Sequence, residues 1–158
     1  MRKFLTALLV VALLATAVLC VSCKSFEGTA LEAFEQMKND GKIEYEYAGG
    51  MLTKVTYDGL TIGNVIPNDY INSKYPMLYV NLEEYAMAPS GMGYDMDNYT
   101  YQGELFYPAG VGLGDLVYKK GMKLLVLYTE ATATGYGPAK GDALLFTLPD
   151  GVKKTTID

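Results

Sequence analysis

From residue 43 onward the apolar side chains stop recurring at every third and fourth position and begin to alternate. The bulk of this chain must therefore be built from strands. Ile43, Tyr45 and Tyr47 alternate with polar neighbours, and the runs 51–57 and 60–66 flank Asp58-Gly59, a dipeptide suited to two-residue hairpin turns. Residues 77–82, 105–107, 122–129 and 143–148 read as further strands. Ahead of them, Ala30, Leu31, Phe34 and Met37 repeat at helical spacing until Asn39-Asp40-Gly41 ends the pattern, which predicts one amphipathic helix over 29–38. Residues 88–103, APSGMGYDMDNYTYQG, combine turn residues with aromatics and read as a long irregular loop, a kind that usually carries function. Residues 112–120 read as a short helix or turn, and residues 131–141 as a second Gly-rich loop. Pro149-Asp150-Gly151 turns the chain into a short tail.

The N-terminus runs MRKFLTALLVVALLATAVLCVSCKSF. Arg2 and Lys3 precede an uncharged apolar stretch that ends in small residues, the pattern of an export signal. Three readings of its two cysteines stand open. Cleavage after Ala15-Thr16-Ala17 would leave Cys20 and Cys23 to pair in an oxidising compartment. Alternatively, Val21-Ser22-Cys23 resembles the lipobox of bacterial lipoproteins, with Cys20 standing where leucine is usual, and cleavage would leave Cys23 carrying lipid. The third reading makes both cysteines apolar filler of the signal. The expectation carried forward is lipid on Cys23. It gives a signal peptide over 1–22, a lipid-anchored tether and short helix over 23–41, and a β-rich domain over 42–158, held outside the cytoplasm on a membrane of the bacterial cell envelope. Lipid chains contribute roughly 0.8 kcal/mol per buried CH₂, so several acyl chains make a stable anchor.

Cleavage before Cys23 removes Arg2 and Lys3, leaving eleven basic groups against eighteen acidic ones, a formal charge near −7. The exported part contains no arginine, histidine or tryptophan. An acidic chain without arginine lacks the basic stripe that nucleic-acid binding needs. Without histidine, and with no cysteine beyond residue 23, zinc or copper sites and Ser-His or Cys-His nucleophiles have no ligands or bases to draw on. No cofactor and no metal is expected. Fourteen tyrosines and five phenylalanines point to a β-rich domain with amphipathic aromatic surfaces.

Three local motifs have bland explanations. Asp95, Asp97, Asn98 and Glu104 offer clustered oxygens, but their spacing departs from the EF-hand calcium loop, with Thr100 at the turn-glycine position. They read as a solvated acidic loop. Asn98-Tyr99-Thr100 matches a glycosylation sequon, an accidental match in a bacterial lipoprotein. Glu83-Glu84 lie adjacent, and adjacent strand residues face opposite sides, so they read as a charged strand end.

Six segments in order resemble the FKBP-type peptidyl-prolyl isomerases. Tyr79-Val80-Asn81-Leu82 resembles V-x-V-H-Y, and Ser90-Gly91-Met92-Gly93-Tyr94-Asp95 resembles D-G-x-x-F-D. Gln102-Gly103-Glu104-Leu105-Phe106-Tyr107 with Gly110-Val111-Gly112 resembles R-G-x-P-x-x-F-x-L-G-x-G. Tyr118-Lys119-Lys120-Gly121-Met122-Lys123 is similar to M-x-x-G-x-K, Ala133-Thr134-Gly135-Tyr136-Gly137-Pro138 to A-Y-G-x-x-G, and Asp142-Ala143-Leu144-Leu145-Phe146 to N-A-T-L-x-F. The resemblance implies an α+β fold, an antiparallel sheet wrapped around a short helix, here preceded by the amphipathic helix. It also implies an aromatic hollow for proline-containing peptides or exported proteins. Tyr94, Asp95, Tyr136 and Phe146 would be catalytic; Leu82, Leu105 and Tyr107 would bind substrate. X-Pro isomerisation crosses a barrier of roughly 18–20 kcal/mol, which a dry pocket lowers by favouring the twisted amide, without nucleophile or metal. The family's V-I-x-G-W segment is shortened to Leu113-Gly114-Asp115-Leu116-Val117, without the tryptophan floor, and Leu82 replaces its tyrosine. These departures leave a second expectation open: a noncatalytic envelope or surface lipoprotein that binds a protein partner through Tyr-rich loops.

Overall fold

The computed structural model describes residues 25–66, 73–90, 95–133 and 135–158. The readings placed on the signal, Cys20, Cys23 and Tyr94 lie outside the described residues.

Helix α1 (Ala30–Asn39) begins at a capping box. The Thr29 hydroxyl accepts the Glu32 amide at 3.3 Å, and the Glu32 carboxylate accepts the Thr29 amide at 2.7 Å, satisfying two otherwise unpaired donors. Ala30, Ala33, Phe34 and Met37 form its buried stripe. Three strands follow as a meander: β1 (Glu44–Ala48), β2 (Met51–Tyr57) and β3 (Leu60–Gly63). The β2–β3 turn falls on Asp58-Gly59, and both residues have positive φ (45° and 78°), as a type I′ hairpin requires.

The remaining strands are β4 (Met77–Val80), β5 (Asp95–Met96), β6 (Tyr99–Tyr101), β7 (Glu104–Pro108), β8 (Lys123–Leu127), β9 (Thr129–Ala131), β10 (Gly135–Pro138), β11 (Gly141–Thr147) and β12 (Gly151–Ile157). Six of them form one antiparallel sheet in the order β12-β11-β8-β4-β7-β6. A small third sheet, β5-β10-β9, sits beside it. Two expectations need correction here. The expected tail is a full strand, β12, paired with β11 along its length. Its β-branched Val152, Thr155, Thr156 and Ile157 suit a pleated edge, with Lys153 and Lys154 exposed. The two expected loops likewise carry short strands, β5 and β6 in one, the end of β9 and β10 in the other.

Alternation gives the large sheet two buried faces. One, with Val80, Leu124, Val126, Leu144 and Phe146, lies under α1 and the meander, and the Phe34 ring stacks on Phe146 with centroids 4.5 Å apart. The other holds Tyr79, Phe106, Leu125, Leu127 and Leu145 inside the curl of the sheet. The curl brings the two edge strands together, with the Tyr101 hydroxyl hydrogen-bonded to that of Thr155. The architecture is thus α+β, a half-barrel of antiparallel strands with one short α-helix among the described residues. That helix comes from the start of the chain. Residues 113–117, where the FKBP resemblance places the helix segment, contain a turn in which the Asp115 amide reaches the Gly112 carbonyl at 3.0 Å. Among the described residues no helix is long and apolar enough to cross a membrane.

Candidate binding cleft

The segment leaving β4 passes through a 3₁₀ turn at Glu83–Tyr85 and doubles back along the end of β7. An Ala86–Ala109 bridge docks it there, with the Met87 amide donating to Pro108 (2.7 Å) and the Gly110 amide to Tyr85 (2.9 Å). Gly110 is required for this approach: a Cβ there would stand 2.9 Å from the Met87 Cα. Between this segment, β5 and β7 lies a cleft of about 420 Å³. Met87, Met96, Pro89 and Tyr107 supply much of its apolar lining, and Asp95 and Asn98 part of its polar one. Met87 is exposed and Tyr107 half-buried.

Two of the cleft's carboxylates, Asp95 and Asp97, are held by neighbouring protein groups. Asp95 Oδ1 accepts the Ser90 amide at 2.6 Å and the Ser90 hydroxyl at 2.9 Å. Asp97 Oδ2 accepts the Thr132 hydroxyl at 2.9 Å, while the Asp97 backbone bonds to Tyr136 and Tyr79. Burial, and then the negative charge of Asp97, push the Tyr79 hydroxyl well above the ordinary tyrosine range, so it stays a neutral donor. Behind the acids, β10 pairs in parallel with β5, Gly135 opposite Asp95 and Tyr136 opposite Met96. A Cβ on Gly135 would fall 1.9 Å from the Asp95 carbonyl oxygen, so only glycine permits this pairing. Among the described residues no group of three or more metal-ligating side chains converges.

Of the residues singled out in the sequence, Asp95 and Tyr107 line this cleft together. Phe146 does not: it is fully buried in the core beneath α1. Register explains why. Tyr107 pairs with Val80, Val80 with Leu124 and Leu124 with Phe146, so the two aromatics share a row but stand three strand spacings, about 14 Å, apart. Leu82 packs half-buried against the same core, Leu105 is exposed beyond the cleft, and Tyr136 is exposed on β10 outside the lining. Tyr94 lies outside the described residues. The sequence reading passed over Met87, Met96 and the close-approach role of Gly135; the signal available for the last was the Gly135-Tyr136-Gly137 spacing within a strand.

Met87 also borders a second groove of about 280 Å³, shared with Met51, Met77 and Val111. Met51 and Val111 are exposed as well, so methionine surface runs from one depression into the next. Searches of protein-family models, curated proteins and solved structures find no match to this chain.

Proposed function

We propose that this chain is an exported lipoprotein of the bacterial envelope, anchored through Cys23, that binds a peptide segment of a protein partner in the Met87–Tyr107 cleft without transforming it. The observation that carries this reading is the pairing of chemistry at the cleft. Its apolar wall is methionine and tyrosine, side chains that adapt to varied partners or offer broad contact area, whereas Asp95 is hydrogen-bonded into its own loop. Random peptides displayed against the immobilised protein test it. Enriched peptides should bind the wild-type chain and lose at least about tenfold in affinity, some 1.4 kcal/mol, on both Met87→Ala and Tyr107→Ala. Peptides indifferent to both changes would sink the assignment.

A second reading is a prolyl peptide as ligand, with FKBP-like isomerisation as the activity. Its support is that Asp95 and Tyr107, both placed at the hollow by the family resemblance, line one cleft. Accelerated cis/trans exchange in an Ala-Pro-Phe peptide, abolished by Tyr107→Ala, would decide in its favour.

A further inference from the structure

The proposed anchor, Cys23, is close in sequence to the folded domain. Cys23 is three residues from Phe26, so their Cα atoms lie no more than about 11 Å apart. Phe26 is already part of the fold: its ring packs edge-on against Tyr118 at 5.2 Å. Two residues later the chain is fixed again, where the Gly28 carbonyl accepts the Tyr118 amide at 2.8 Å and Thr29 bridges Val117. Little slack is left between an acyl group on Cys23 and the rigid domain. Beside this exit the 112–120 turn exposes Val117 (53 %), an apolar side chain that no element among the described residues covers.

From this geometry we infer that the domain sits directly on the lipid surface, with Val117 and its neighbours Tyr118 to Lys120 against the bilayer. The inference rests on the lipid-anchor part of the proposed function. The tether, not charge, provides the attraction, because an exported chain of formal charge near −7 is repelled by anionic headgroups. The seated surface adjoins the cleft. Tyr85 donates its hydroxyl to the Val117 carbonyl at 3.1 Å, Lys119 pairs with Glu84 at 2.6 Å, and Glu83 of the same turn lines the cleft. A partner segment must therefore be reachable at the membrane surface.

The test uses the full chain, exported and processed in a bacterium, then reconstituted into phosphatidylethanolamine–phosphatidylglycerol vesicles carrying nitroxide-labelled lipid. A fluorophore is placed by Val117→Cys, or by Lys140→Cys, an exposed site beyond the far end of β8, whose five residues span about 16 Å. Quenching should be several-fold stronger at 117 than at 140. A Gly/Ser insert of about ten residues after Lys24, with a mean span near 17 Å, should erase that difference. Acylated protein quenched equally at both positions, or unaffected by the insert, overturns the membrane seat alone. Intact-mass analysis separates the underlying reading: protein without acyl mass on Cys23 overturns the anchor and the seat with it.

Discussion

Tyr107 and Phe146 occupy two positions in one cross-strand row, on the same face of the same sheet, yet one opens on a cleft and the other is sealed. The difference comes from what lies above them. Over Phe146 runs α1, whose Phe34 stacks on it; over Tyr107 the returning 83–90 segment leaves a gap edged by Met87 and Pro89. Aromatic side chains at equivalent register thus acquire opposite surroundings, one holding the half-barrel to its helix and the other facing an open cleft.

The sharpest way to break that comparison is to truncate each end of the row. Phe146→Ala should cost about 3–5 kcal/mol, because it removes a fully buried ring and leaves a cavity under α1. Urea unfolding measures the loss, and a cost below about 1 kcal/mol would contradict the placement of Phe146 in the core. Next in size, Gly135→Ala should cost about 1–3 kcal/mol and open the β5–β10 pair, since its Cβ has no room beside the Asp95 carbonyl. Amide exchange localised to β5 and β10 checks this.

A polar joint at the end of the same sheet gives a smaller effect. Asn81 Nδ2 donates to Glu104 at 2.8 Å and to the Gly121 carbonyl at 3.0 Å, and Lys123 Nζ meets Glu104 at 2.5 Å. Burial alone would raise the Glu104 pKa, but the hydrogen bonds from Lys123 and Asn81, with the Lys123 charge, hold it below the ordinary 4.5. A depressed folded pKa stabilises the native state above the unfolded value. That contribution starts to vanish as pH falls below about 4.5 and is gone once pH has passed the lower folded value. With both side chains about one-third exposed, it amounts to about 1 kcal/mol or less. Glu104→Gln should flatten the acid limb of a stability–pH profile; an unchanged limb would remove the joint from the account. Smallest of all, Tyr107→Ala should cost under about 1 kcal/mol of stability while lowering peptide affinity at least about tenfold, because its ring is half-buried and borders open space. A loss matching that of Phe146→Ala would erase the distinction between the two ends.

Much of the scaffold was legible in the sequence. Helical spacing ended by Asn39-Asp40-Gly41 marked α1, Asp58-Gly59 marked a hairpin, and the apolar runs at 77–82, 122–129 and 143–148 marked β4, β8 and β11. Strand β12 escaped because its Lys-Lys-Thr-Thr stretch is polar on an edge, where pairing with β11 supplies what periodicity does not show. Strands β5 and β10 escaped because each is short and depends on a close approach at Gly135, a tertiary fact. The site was legible in part for a related reason. Asp95 and Tyr107 could be singled out as residue types, but whether Tyr107 or Phe146 would be covered depended on strand order and the path of α1, neither of which a local pattern encodes.

The most direct test of the cleft as a binding surface is an NMR titration of the isotope-labelled protein with a peptide selected against it, read simultaneously on protein amides and on any prolyl bond in the ligand. Saturable shifts confined to residues 86–90, 95–98 and 107–108, with cis/trans exchange unchanged, are the predicted result. Shifts centred elsewhere would contradict the cleft, and catalysed exchange would contradict the claim that the ligand leaves as it came.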